Sequence, residues 1–103
     1  MPTARYEQVK ALLAREPNDV FLNYGLAMEL VKSGRLDEAV EQFSRVLQLD
    51  PDYVAAYFQK SKALVQAGRR DEARDTLNLG IERARVRGDR HAMQEMQEFL
   101  AAM

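Results

Sequence analysis

The sequence lacks cysteine and tryptophan, contains one histidine, and has no uninterrupted apolar run longer than a few residues. Without cysteine there are no disulfides, thiolate nucleophiles or cysteine-ligated metals. The apolar runs are far shorter than the ~20 residues that a membrane-spanning helix needs. The first ten residues carry charge and no apolar stretch, so no signal peptide is visible. We therefore expect a cytoplasmic protein that does not enter a membrane.

An excess of charge of one sign is also missing. Fifteen lysines and arginines face sixteen acidic residues, for a net charge of −1, which gives no bulk attraction to nucleic acid or to an anionic membrane. The last third is locally basic, but its arginines alternate with carboxylates, and ion pairs and helix-end charges account for most of them. We expect no nucleic-acid partner. The arginines concerned are Arg69, Arg70, Arg74, Arg83, Arg85, Arg87 and Arg90.

What the sequence does contain is an internal repeat with a period of 34 residues. Sliding the chain against itself by 34 gives five matches in one register, which chance does not explain. The matches place 17–20 on 51–54, 30–31 on 64–65, 34–35 on 68–69, 37–39 on 71–73, and Leu47 on Ile81.

Each unit has the signals of two helices joined by a turn. Gly34 and Gly68 are typical of the left-handed residue that ends a helix. Pro51 with Asp52 fits a helix start, as does Asn18 or Asp19 after Pro17. No segment alternates with period two over strand length, so no sheet is expected. The sequence predicts one all-α domain of six helices, over 4–15, 19–33, 36–49, 53–67, 70–86 and 90–102.

The last helix has one apolar stripe. It follows Gly88 and Asp89, a stop signal and then a cap. The stripe recurs at three- and four-residue steps with glutamines and glutamates between, which predicts a capping helix over the end of the stack. Its members are Ala92, Met93, Met96, Phe99, Leu100 and Met103.

The period and the residues that recur with it resemble the tetratricopeptide repeat. In the first unit the match lies in Leu26, Ala27, Leu30, Gly34, Ala39, Phe43 and Pro51, and in the second in Tyr57, Leu64, Gly68, Ala73 and Leu77. The resemblance implies a right-handed superhelix of antiparallel helix pairs with a concave groove. We expect a single domain over 1–103, with a half-repeat helix at 4–17, repeats at 18–51 and 52–87, and a capping helix at 88–103.

The chain departs from the family pattern at several positions. Asn23 stands where the family usually has a large aromatic residue, and Lys60 with Ser61 where Leu-Gly is usual. Gly80 replaces a small residue such as alanine. Arg85 replaces the proline that closes a unit, so the fifth helix is expected to run on to Arg87.

Catalytic chemistry has little support in the sequence. A catalytic triad needs a nucleophile held by a base and a third group, but the serines lie in predicted helices and His91 fits a solvated surface residue. Asp71, Glu72 and Asp75 fit an acidic first turn better than a metal site. There is no glycine-rich phosphate loop. We expect a protein that is not an enzyme and holds no cofactor or metal.

The helix from Val20 to Lys32 is apolar on two opposite faces, and one of them must pack on its partner helix. The resemblance implies that the other lines the concave groove, together with the matching face of the helix at 53–67. Core packing of the same side chains is the alternative. The predicted groove consists of Phe21, Tyr24, Met28, Val31, Lys32, Phe58, Lys62 and Val65.

The resemblance implies an adaptor or scaffold that binds a peptide or protein segment. Some family members bind acidic chaperone tails through groove lysines and asparagines, but Tyr24, Met28 and Gln59 stand in three of those places, which argues against that activity. The alternative is a self-association module. Two full repeats are fewer than the three usually needed to bury a continuous core, so a homodimer through the groove or the last helix would help.

Overall fold

The computed structural model describes residues 4–103, which form six α-helices and no β-strand. They are α1 (Ala4–Arg15), α2 (Val20–Lys32), α3 (Leu36–Leu49), α4 (Val54–Gln66), α5 (Arg70–Arg87) and α6 (Arg90–Ala102). The predicted all-α fold is confirmed, and each helix boundary lies within one residue of its predicted place. None of these helices combines the length and apolarity needed to cross a membrane.

Glycines end three of the helices as the sequence predicts. Gly34, Gly68 and Gly88 have φ angles of 74°, 77° and 72°, a backbone conformation that other residues rarely adopt. In each case the next amide donates to a carbonyl five residues back, as Arg35 does to Leu30 at 3.0 Å. The chain therefore reverses within a few residues and begins the next helix directly.

Two of the helices begin with an aspartate cap, as the sequence predicts. The side chain of Asp19 accepts a hydrogen bond from the Leu22 amide at 2.8 Å, and Asp89 accepts one from the Ala92 amide at 3.1 Å. Both residues cap their helices as expected. Pro51 and Asp52 stand just before α4 as predicted, and the cap residue of that helix, Tyr53, makes no side-chain cap bond.

The helices pack in sequence order as a stack of antiparallel pairs. α2 packs on α3 and α4 on α5, while α3 also packs on α4 and α5 on α6; α1 packs on α2. The core has two clusters, one around Phe43 and Leu64 and the other around Leu77 and Met96, all of them 1% exposed or less. Met103, from the capping helix, contacts both clusters.

Asn23 stands where the repeat usually has a large aromatic residue, and it stabilises the turn before its helix through hydrogen bonds. Its amide donates to the carbonyl oxygens of Pro17 at 3.0 Å and Asp19 at 2.8 Å, and its oxygen accepts from Gln42 at 2.6 Å. One period later, the Tyr57 hydroxyl donates to the carbonyl of Pro51 at 2.7 Å. Both side chains thus tie the first helix of a unit to the proline turn before it.

The capping helix approaches α5 at Gly80. A Cβ added there would lie 2.6 Å from Tyr57 Cβ and 2.7 Å from Met96 Sδ, which is closer than real atoms pack. Met96 is fully buried, and the rest of its apolar stripe packs against the same cluster. Glycine at this position lets α4, α5 and α6 meet without a gap.

We predict that Gly80→Ala lowers the free energy of unfolding by about 1–3 kcal/mol, because the added methyl group overpacks this contact. Gly25→Ala is the matched control, since it is also a helix glycine and its new Cβ would meet only Val9, at 4.0 Å. That change should stabilise by about 0.5–1 kcal/mol through helix propensity. Urea unfolding of both variants tests this; equal shifts would contradict it.

We also predict that Asn23→Ala costs about 1–3 kcal/mol, because buried polar groups lose their partners. Gln42→Ala removes only one bond of the same network and should cost less. Thermal unfolding measures both changes. An equal or larger loss in Gln42→Ala would show that the bonds to the proline turn contribute little.

Candidate functional site: two clefts along the first helices

Six of the eight predicted groove residues line two different clefts, and the other two pack against the core. Phe21, Tyr24, Met28 and Lys32 line a cleft of about 430 Å³ between α1 and α2, hereafter the α1–α2 cleft. Its other lining residues are Arg5, Gln8, Val9, Leu12, Leu22, Gly25 and Glu29.

Phe58 and Lys62 line a second cleft of about 350 Å³ between α4 and α6. The Lys62 ammonium lies 4.2 Å from the centre of the Phe58 ring, within the range of a cation–π contact. The Phe58 ring also packs edge-on against Phe99 of the capping helix, with centroids 5.7 Å apart. The capping helix therefore covers part of the surface that the sequence assigns to a groove.

The remaining two residues, Val31 and Val65, are half-buried and pack against the first core cluster. Tyr24 combines both roles. It lines the α1–α2 cleft, but its ring also packs edge-on against Phe43, with centroids 5.9 Å apart, and at a tilt against Tyr53, with centroids 5.0 Å apart. Burial, together with the nearby Tyr53, raises the pKa of its hydroxyl. Of the two aromatic residues of α2, Tyr24 therefore packs in part against other rings, whereas Phe21 is exposed.

Phe21 and Leu12 form the apolar end of the α1–α2 cleft. Phe21 is 70% exposed and Leu12 is 49% exposed, and the two lie next to each other at one end of the same cleft. They lie together because α1 and α2 are antiparallel, so that the end of α1 meets the start of α2. Aromatic side chains in this setting are typical of protein-binding surfaces.

The opposite end of the cleft holds a buried carboxylate that the sequence analysis missed. Glu29 is 3% exposed, and its Oε2 lies 3.2 Å from Lys32 Nζ and 3.7 Å from Arg5 Nε. Burying a carboxylate is costly unless cations and hydrogen bonds compensate it. Its position between Met28 and Leu30, with a lysine three residues later, was the available signal.

The other candidates for chemistry form no catalytic arrangement among the described residues, although His91 lines the second cleft, between α4 and α6. The His91 side chain is 86% exposed and 3.4 Å from Glu95, in agreement with a surface residue. Over residues 4–103, His, Asp and Glu side chains form no group of three or more that fits a metal ion. Most of the basic run pairs as expected: Arg69, Arg74, Arg83, Arg85 and Arg87 each meet a carboxylate.

The sequence matches a known protein family whose fold agrees with this architecture. The family model described as Tetratricopeptide repeat matches residues 30–96. The chain belongs to the tetratricopeptide repeat family. No curated protein matches it in sequence.

Solved structures agree with this family. A tetratricopeptide repeat domain protein from Salinibacter ruber is 35% identical, with a TM-score of 0.78 over 84% of this chain and 87% of that one. A protein from Bordetella parapertussis is 29% identical, with a TM-score of 0.86 over 97% and 87%. The TPR2B domain of yeast Sti1, in a complex with pHsp70, shares the fold at 20% identity, with a TM-score of 0.87 over 93% and 77%.

The two aromatic residues of α2, Tyr24 and Phe21, should contribute differently to the free energy of unfolding. Tyr24→Ser should lower the free energy of unfolding by about 1–3 kcal/mol, because the ring packs on Phe43 and Tyr53. Phe21→Ser should change it by no more than about 0.5 kcal/mol, since that ring is largely solvated. Chemical denaturation compares them. A large loss in Phe21→Ser would make that ring part of the core.

Proposed function

We propose that this chain is a non-enzymatic adaptor of the cytoplasm that binds a protein segment on the surface of its first helices, α2 and α4. The observation that supports this most is the α1–α2 cleft, where an exposed phenylalanine adjoins a mainly apolar surface with cations at one end. Concave sites lined mainly by apolar side chains, with a few polar groups that fix orientation, are typical binding sites.

In this proposal the residues have separate roles. Phe21 and Met28 supply contact area, and methionine adapts its shape to the partner. Lys32 and Lys62 meet carboxylates of the bound segment. Four further residues pack beneath this surface and support it, namely Tyr24, Phe58, Val31 and Val65. The division into a half-repeat at 4–17, repeats at 18–51 and 52–87 and a cap at 88–103 belongs to the same proposal.

The experiment is selection from a random peptide library displayed on phage, followed by titration calorimetry of the selected peptides. Phe21→Ser should weaken binding about tenfold or more, as expected for an aromatic anchor. Lys62→Gln should weaken it less, because a single ion pair at the rim of a cleft contributes little on its own. Leu79→Ser is the matched control, because Leu79 is 62% exposed on α5 and lines neither cleft.

Two results would overturn the proposal. Selection that enriches no peptide would remove peptide binding as the function. Peptides that bind Phe21→Ser and the Leu79→Ser control equally well would place the site elsewhere on the molecule.

A further inference from the structure

The second helix of each unit presents one row of small and apolar residues that is entirely buried. In α3 the row is Ala39, Phe43 and Val46, each 0% exposed. In α5 it is Ala73, Leu77 and Gly80, all buried. These rows are covered because α3 lies between α2 and α4, and α5 between α4 and α6.

The corresponding row of α1, one period earlier, is Arg5, Val9 and Leu12. Among the described helices, only α2 packs extensively on α1. Val9 is 7% exposed and lies against Gly25 of α2, but the Arg5 side chain is 68% exposed and Leu12 is 49% exposed. Two of the three residues in this row, Arg5 and Leu12, are therefore exposed at the α1–α2 cleft and not covered by a helix.

A glutamine identifies the element that this row would meet. Gln42 of α3 donates to Asn23 of α2, so its position faces the first helix of its own unit. One period earlier stands Gln8, which lines the α1–α2 cleft. The cleft therefore lies on the face of α1 that corresponds to the face of α3 covered by α2.

The charges of the cleft give such a helix a direction. A helix packed on α1 as α2 packs on α3 runs antiparallel to α1, and its last turn lies beside Arg5. Helix C-termini carry partial negative charge and favour cations. Arg5 and Lys32 are 68% and 63% exposed at that end and share one carboxylate, Glu29, which leaves a net positive charge.

We propose that the α1–α2 cleft binds an amphipathic α-helix of a partner protein, parallel to α2, with an acidic last turn. Its apolar face covers Leu12, Phe21 and Met28, and its acidic turn meets Arg5 and Lys32. α2, α4 and α6 each have 13 residues, and the bound helix has a similar length. This inference rests on the proposed function and specifies the conformation, polarity and charge of the segment.

The test uses synthetic 13-residue peptides, the length of the chain's own first helices, with a leucine and alanine face. One carries two glutamates in its last turn, a second carries them in its first turn, and a third has a central proline. The peptide with the acidic last turn should bind about three- to tenfold more tightly than the second. The proline peptide should lose most affinity, because proline breaks a helix.

Isotope-labelled protein and its variants locate the binding. Amide shifts should concentrate in α1 and α2. Leu12→Ser should weaken every helical peptide, Arg5→Gln should reduce the preference for the acidic last turn, and the Leu79→Ser control should change neither. The Arg5 result separates charge recognition from simple loss of packing.

Several results would overturn the inference. These are equal binding of the proline peptide, no effect of the glutamate position, shifts confined to α4 and α6, or peptide-free dimerisation that Leu12→Ser abolishes. If the helical peptides fail to bind while library peptides bind through Phe21 in an extended form, the inference is wrong and the proposed function stands. Failure of both would remove both.

Discussion

The left-handed glycines at the ends of α2, α4 and α5 are the constraint on which the structure depends. Each lets the chain reverse within a few residues, so the next helix must lie antiparallel to the last and within packing distance. Small residues then determine how closely the pairs approach. Ala39 and Ala73 are fully buried after the first two glycines, and the missing side chain of Gly80 leaves room for Tyr57 and Met96.

The helix boundaries were predictable because they depend on local chemistry. A glycine with positive φ, an aspartate whose side chain caps an amide, and a proline before a helix act over four or five residues, and a single sequence contains all of that information. The capping stripe of α6 was predictable for the same reason. Its period is a property of one helix, whatever that helix packs against.

The surface was less predictable because it depends on several helices at once. The sequence places Phe21 and Phe58 on equivalent faces, but α6 packs against Phe58 while Phe21 lies beside α1 and remains exposed. Asn23 shows the same limit, since nothing local indicates that an amide replaces a tyrosine hydroxyl. The burial of Glu29 follows from two cations on different helices, of which only Lys32 is close in sequence.

Gly80 has a consequence for the stack as a one-dimensional array. Met96 packs directly against this glycine, so α6 covers α5 so closely that an added Cβ would force its neighbours to shift. At the α1 end, the corresponding row of Arg5, Val9 and Leu12 is only partly covered, since Arg5 and Leu12 are exposed at the α1–α2 cleft. Repeat stacks interact mainly between neighbours. Within residues 4–103 the array is therefore directional, because the matching row is partly exposed on α1 at one end, whereas on α5 at the other end it is covered by α6.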